Sequence, residues 1–209
     1  RPDASAPCPR DGGRLRHPVD YDLTFWLLSV GKGPTPNDDN RLEDQQMANS
    51  PYSTRTIPVE HVTISSTKPF EDVRAKLATL APRIDDGIFT LLRYGESTRA
   101  LRELETCPPL TIFGQRDHGA LLAVAGLTRR SIQYDIGNPL TASKMTRHHL
   151  SAGLYAPIRV LLREDDDGGV AFEYDRPASV FGQFGSGNVD AVAQQLDRDL
   201  QALLEAAAA

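Results

Sequence analysis

"LTIFGQRDHGALLAVAGLTRRSIQYDIGNP" occupies residues 110–139, and the way it is read decides the fold. "LTIFGQ" (110–115) has the β-branched and aromatic content of a strand, and "SIQYDI" (131–136) has the same character. Between them "HGALLAVAGL" (118–127) reads as a helix closed by Gly126. Strand, helix, strand in this order predicts two parallel strands, or two strands with a third between them, joined by a right-handed crossover. Each strand runs into a polar turn, Asp117-His118 in one case and Gly137-Asn138-Pro139 in the other.

The flanking sequence extends the pattern. "TIPVEHVTIS" (56–65) is rich in β-branched residues, and "TKPFEDVRAKLATL" (67–80) puts Phe70, Val73, Leu77 and Leu80 on one helical face behind a Thr67 cap. "GESTRALRELE" (95–105) predicts a further helix between the short segment "GIFTLLRY" and the stop at Pro108-Pro109. "PLTASKMTRHHLSAG" (139–153) reads as a weakly amphipathic helix. "APIRVLLRE" (156–164) and "GVAFEYD" (169–175) form a hairpin around an Asp-Gly turn. Asn188 is placed to cap a last helix with its apolar stripe at Val189, Val192, Leu196, Leu200 and Leu203. The expected fold is α+β: a single mixed or antiparallel sheet of about four to five strands with helices packed on it in two layers.

Composition bounds the rest. Six of the fifteen prolines precede Met47, and the chain before it shows no sustained periodicity. Such a stretch buries too little apolar surface to offset its ordering entropy. Residues 1–50 are therefore expected to be a disordered or poorly ordered extension of a single α+β domain at 51–209, with Met47 an alternative start. A net charge of −5 argues against a nucleic-acid binder, and no apolar run is long enough for a membrane span. "LTFWLLSV" (23–30) follows Arg10, Arg14 and Arg16 as a leader would, but Asp20 and Asp22 abut it and the sequence does not open with Met. Cys8 and Cys107 form no paired framework. A cytoplasmic, reducing location is the expectation.

The two turns supply the candidate chemistry. Asp117 stands at an N-cap position, and His118 at the first helical position meets the positive end of the helix dipole, which disfavours imidazolium. A neutral His118 there can act as a general base, oriented by Asp117 or by Asp175 at the end of the last strand. The same residues are equally explained as a cap and a histidine bonded to backbone, and Asp175 by a surface pair with Arg176 or Arg159. Gly137-Asn138-Pro139 is accounted for locally by a strand exit, an N-cap and a proline at the first helical position. If both helix N-termini open on one edge of the sheet, with Arg116, Lys144 and Arg147 near in sequence, a carboxylate or phosphate can be held there. The ligand-binding set is then Arg116, Gly137, Asn138, Lys144 and Tyr174.

Other motifs are incomplete. His148 and His149 point about 100° apart on a helix and cannot share a metal. The DDDGG tip lacks the closing glutamate of a calcium loop, "GQFGSGN" follows no strand, and Cys107 lacks an activating partner. No metal site is expected, and no cofactor is named by any motif.

"RDHGALLAVAGL", "IGNPLTASKM" and "YAPIRVLLREDDDGGVAFEYDRP" together resemble the core of a family known as domain of unknown function 302. The resemblance covers about residues 56–205 and is strongest from 111 to 177. The segment 81–109 looks like an insertion, and "GNPLTASKM" departs from the family's more usual Gly-Thr before the methionine. The resemblance implies a small, dimeric α+β domain and no activity. The expected function is binding of a small anionic ligand at paired helix N-termini. An enzyme using His118 as base and a homodimeric interaction module are the alternatives.

Overall fold

Side-chain alternation builds one sheet in the computed structural model, which describes residues 52–209. Among these residues five strands are found: β1 (His61–Ser66), β2 (Thr111–Asp117), β3 (Ser131–Gly137), β4 (Ile158–Glu164) and β5 (Val170–Asp175). They lie in the order β1-β5-β4-β3-β2, and every neighbouring pair is antiparallel. Ile132, Tyr134 and Ile136 of β3, Val160 and Leu162 of β4, and Phe172 and Tyr174 of β5 are buried on the inner face. The alternate residues, among them Thr63, Arg116, Gln133, Arg159 and Glu173, form an outer face of polar and charged groups.

Helices flank the sheet, and those that join its main core do so from the inner face. They are α1 (Phe70–Leu80), α2 (Asp86–Arg93), α3 (Ser97–Thr106), α4 (His118–Leu122), α5 (Pro139–Thr146), α6 (Pro177–Phe181) and α7 (Gly187–Ala208). α7 buries Val189, Ala193, Leu196, Leu200 and Leu204, spaced at three and four residues, against α1 and the sheet. α1 contributes Phe70, Val73 and Leu77. Ile84, Ile88, Ala100 and Leu104 form a second, smaller cluster around α2 and α3. This is the α+β fold expected, with its sheet wholly antiparallel.

The connection between β2 and β3 corrects the crossover. The two strands pair directly, Thr111 with Gly137 and Asp117 with Ile132, so the chain reverses between them. The expected helix of 118–127 shortens to α4 and one 3-10 turn, ending at Gly126 with φ 72° in the left-handed region. A crossover needs an element long enough to lie back across the sheet. Here Gly119 packs so closely on the returning chain that a Cβ would come within 2.4 Å of the Arg129 carbonyl oxygen. The connector closes on itself at the sheet edge, and none of its residues from His118 to Ala125 is buried.

Smaller differences have local causes. β1 starts at His61 rather than 56, because Pro58 has no N–H to donate to a ladder. α1 starts at Phe70 with Pro69 at the cap position and no side-chain cap, so Thr67 does not cap it. Asn188 lies inside the first turn of α7, with Ser186 at the cap position. The helix expected over 139–153 stops at Thr146 and resumes as a 3-10 turn at Leu150–Tyr155. α2, read from sequence only as a short segment, is capped by Asp85, whose Oδ1 accepts the Gly87 N–H at 2.8 Å. The expectations placed on residues 1–50 and on Met47 lie outside the described residues.

Leu200 is fully buried where α7 meets the sheet, and Val124 is among the most exposed apolar side chains. Urea denaturation should find Leu200→Ala destabilised by about 2–5 kcal/mol and Val124→Ala changed by less than about 0.5 kcal/mol. Comparable losses would contradict the placement of the core.

Candidate functional site

The antiparallel pairing of β2 and β3 sends their two C-terminal turns to opposite ends of the sheet. Asp117 stands beside Ile132, about 17 Å along β3 from Gly137 at the strand rise of an extended chain. The two helix N-termini therefore do not open on one edge, and no joint anion site forms between them.

At the first turn, Asp117 Oδ1 accepts the Ala120 N–H at 2.8 Å, a helix cap. The His118 side chain is exposed and makes no hydrogen bond among the described residues. Asp175 does not reach it. Its Oδ1 lies 3.2 Å from Nδ1 of His61, its register partner on β1, so it pairs with neither Arg176 nor Arg159. Three strand spacings, about 14 Å, separate β5 from β2. The proposed orienter and base belong to different parts of the sheet.

At the second turn, Asn138 Oδ1 accepts the N–H groups of Leu140 at 2.8 Å and Thr141 at 3.3 Å, while Nδ2 donates to the Pro108 carbonyl at 3.2 Å. The Ala142 N–H is bound by the Asn138 carbonyl, and Pro139 has none. Every N–H of the first turn is thus spent inside the turn or missing, which leaves nothing for an anion. Gly137 is not among the glycines with positive φ, so its backbone conformation does not require glycine. Its role is spatial: a Cβ there would touch Pro157 at 3.5 Å and Phe113 at 3.7 Å.

That contact marks a cleft of about 300 Å³ between α5, the end of β3 and the start of β4. Phe113, Ile136, Met145, Pro157, Ile158 and Leu196 supply most of its apolar wall, with Gly137 and Asn138 at its edge. Phe113 reaches it because the β2–β3 register shifts between Ile112 and Gly114, and the bulge re-aims that side chain. Ser143 Oγ donates to the Leu140 carbonyl and Thr146 Oγ1 to the Ala142 carbonyl, so both hydroxyl protons are satisfied within α5. The Thr141 hydroxyl has no partner among the described residues. The cleft is therefore dry-walled, with one free hydroxyl and the Asn138 amide as its polar features.

A second, wider groove of about 590 Å³ crosses the outer face of the sheet. Arg116, Asp135, Arg159 and Asp175 form its floor. Arg116 Nη1 binds Asp135 at 2.9 Å and Gln133 at 3.2 Å. The structure thus brings Arg116 and Asp175 to the groove and Gly137 and Asn138 to the cleft. Lys144 is exposed in the last turn of α5 and lines neither. Tyr174 is buried in the core, and its desolvation pushes the phenol pKa up, with Arg176 opposing. Sequence reading did not place Phe113, Met145 and Leu196 at a site, because apolar residues on three separate elements carry no shared signal, and it read Arg159 only as a surface partner of Asp175. Among the described residues, no three His, Cys, Asp or Glu side chains converge as metal ligands would.

Comparison with known proteins agrees with this architecture. The model of the family described as Domain of unknown function DUF302 matches residues 86–207, which takes in most of the segment read as an insertion. The crystal structure of the uncharacterized conserved protein DUF302 from Bacillus stearothermophilus is similar at a TM-score of 0.52 and 13% sequence identity. The likeness covers 70% of this chain and 97% of that one and is a likeness of fold. No curated protein matches the chain.

Removing the Asn138 cap should be measurable. Asn138→Ala is expected to cost about 1 kcal/mol in chemical denaturation. Asn138→Asp should recover only part of this, since a carboxylate keeps the acceptor but loses the donor to Pro108. Full recovery by Asp would show that the bond to Pro108 contributes nothing.

Proposed function

The chain belongs to the DUF302 family, and because that membership brings a fold without a reaction, we propose from geometry that the domain binds a small, predominantly apolar ligand. The ligand occupies the cleft beside α5. The observation that carries this reading is its wall of Phe113, Ile136, Met145, Pro157, Ile158 and Leu196, open to solvent at about 300 Å³. A concavity of this size buries most of a small ligand, and removing apolar area from water supplies roughly 25 cal/mol per Å². Thr141 and Asn138 offer hydrogen bonds to one neutral polar end. The negative charge expected of the ligand finds no donor here, since the N–H groups of α5 are already occupied.

A homodimer is the second reading, and one feature favours it. On the β2–β3 connector Leu121, Val124 and Leu127 are 66%, 91% and 55% exposed, although α4 buries no residue of its own. An apolar cluster of this kind on an otherwise polar edge suits a self-complementary contact between two copies. Sedimentation should show a dimer that Val124→Asp dissociates; a monomeric wild-type chain would contradict it.

Ala142 faces the cleft from α5. Ala142→Phe should fill the space while leaving the fold intact, judged by an unchanged far-ultraviolet spectrum. Wild type should enhance the fluorescence of the neutral probe N-phenyl-1-naphthylamine, and the variant should not. Equal enhancement by both would overturn the cleft as the binding site.

A further inference from the structure

The outer face of the sheet carries an ordered row of charge. His61 faces Asp175 across β1 and β5, and Arg159 faces Asp135 across β4 and β3, with Arg116 of β2 reaching in from the next row. Arg159 thus has Asp135 directly opposite on β3 and Asp175 one step past the last β4–β5 pair, Val160 with Tyr174, a placement that suits cross-strand ion pairs. Neither pair forms. Asp135 is held by Arg116 at 2.9 Å and Asp175 by His61 at 3.2 Å. The next carboxylate on β5, Glu173, is engaged by Arg163 Nε at 2.8 Å. The Arg159 side chain is exposed and has no hydrogen bond or ion pair among the described residues.

That unpaired guanidinium stands in the floor of the groove of about 590 Å³, whose walls are Ile57, Val59, Leu154, Tyr155, Pro157 and Val180. Its planar fork of donors matches a carboxylate bidentately, and the walls match a hydrocarbon or aromatic body. The charge of the floor selects further. The floor is neutral overall, with two arginines and two aspartates, so a monoanion paired with Arg159 adds one negative charge, whereas a dianion adds two beside Asp135 and Asp175.

We infer that this groove is a docking site for an amphipathic monocarboxylate, held through its carboxylate by Arg159 with its apolar body against the wall of Leu154, Pro157 and Val180. The site is separate from the cleft beside α5 and does not depend on its occupancy. It takes a charged head where the cleft takes a neutral one, and the two share only the Ala156–Ile158 segment of their walls.

The test is an NMR titration of the full chain with octanoate and 3-phenylpropionate, against their primary amides and inorganic phosphate. The acids should perturb the Arg159 Nε–H signal saturably, and the amides and phosphate should not. Arg159→Gln should weaken the acids about ten- to hundredfold, the range of a charge-assisted bond. Arg159→Lys should recover part of the affinity by restoring the charge without the fork. Ala142→Phe should leave the affinity for the acids unchanged. The inference is overturned if Arg159→Gln binds as wild type does, if amides bind as well as acids, or if Ala142→Phe abolishes binding. No saturable shift at millimolar acid would overturn it equally.

Discussion

The antiparallel ladder between β2 and β3 is the constraint on which the rest of the arrangement depends. Because Thr111 faces Gly137 and Asp117 faces Ile132, the two polar turns that follow these strands lie at opposite ends of the sheet. One turn, with His118, is left at an exposed edge. The other brings Asn138 and α5 over the end of β3, where Thr111 Oγ1 fastens the strands by donating to the Gly137 carbonyl at 3.1 Å. The bulge between Ile112 and Gly114 belongs to the same ladder and turns Phe113 into the cleft. A ladder of opposite sense would dissolve the cleft and assemble a different site.

The division of the sheet into two faces separates the two surfaces proposed to bind ligands. On the inner face the core of α1, α7 and the strands is closed by Phe70, Phe172, Leu200 and Leu204, and the cleft beside α5 is a gap at its margin. The binding proposed there rests on apolar contact, because most of the nearby polar groups, the Thr141 hydroxyl excepted, have internal partners. On the outer face, charged residues are aligned by strand register and satisfied laterally, so one unsatisfied cation stands out. Arg159 is conspicuous only because its neighbours are taken. Neither surface uses the helix dipoles that the sequence made attractive: the first turn of α5 is internally saturated, and α4 has only five residues.

Much of the sheet was legible because period-two alternation survives in the residues themselves. Ile132, Tyr134 and Ile136, then Val160 and Leu162, announce buried faces, and the Asp-Gly tip at 165–169 announces the β4–β5 hairpin. The 3.6-residue stripe of α7 was equally plain. Strand direction was not legible, since alternation is the same in either sense. The deciding fact was a close approach of Gly119 to Arg129, which depends on tertiary geometry. "ALLAVAGL" also misled: its apolar residues are those of a core helix, yet Leu121, Val124 and Leu127 face outward. For the site, Asn138 and Gly137 were recognisable from turn chemistry and Arg116 from charge. Their partners come from elements brought together only by folding. Arg159 was read as one choice for pairing Asp175, and its release became visible only once His61 was seen opposite that aspartate.

The direction of the β2–β3 pair is open to direct measurement by nuclear Overhauser contacts on isotopically labelled protein. The antiparallel ladder predicts backbone contacts between Asp117 and Ile132 at one end and between Thr111 and Gly137 at the other. Contacts linking Thr111 to Ser131 and Asp117 to Gly137 instead, the register of parallel strands, would contradict the ladder and with it both proposed binding surfaces.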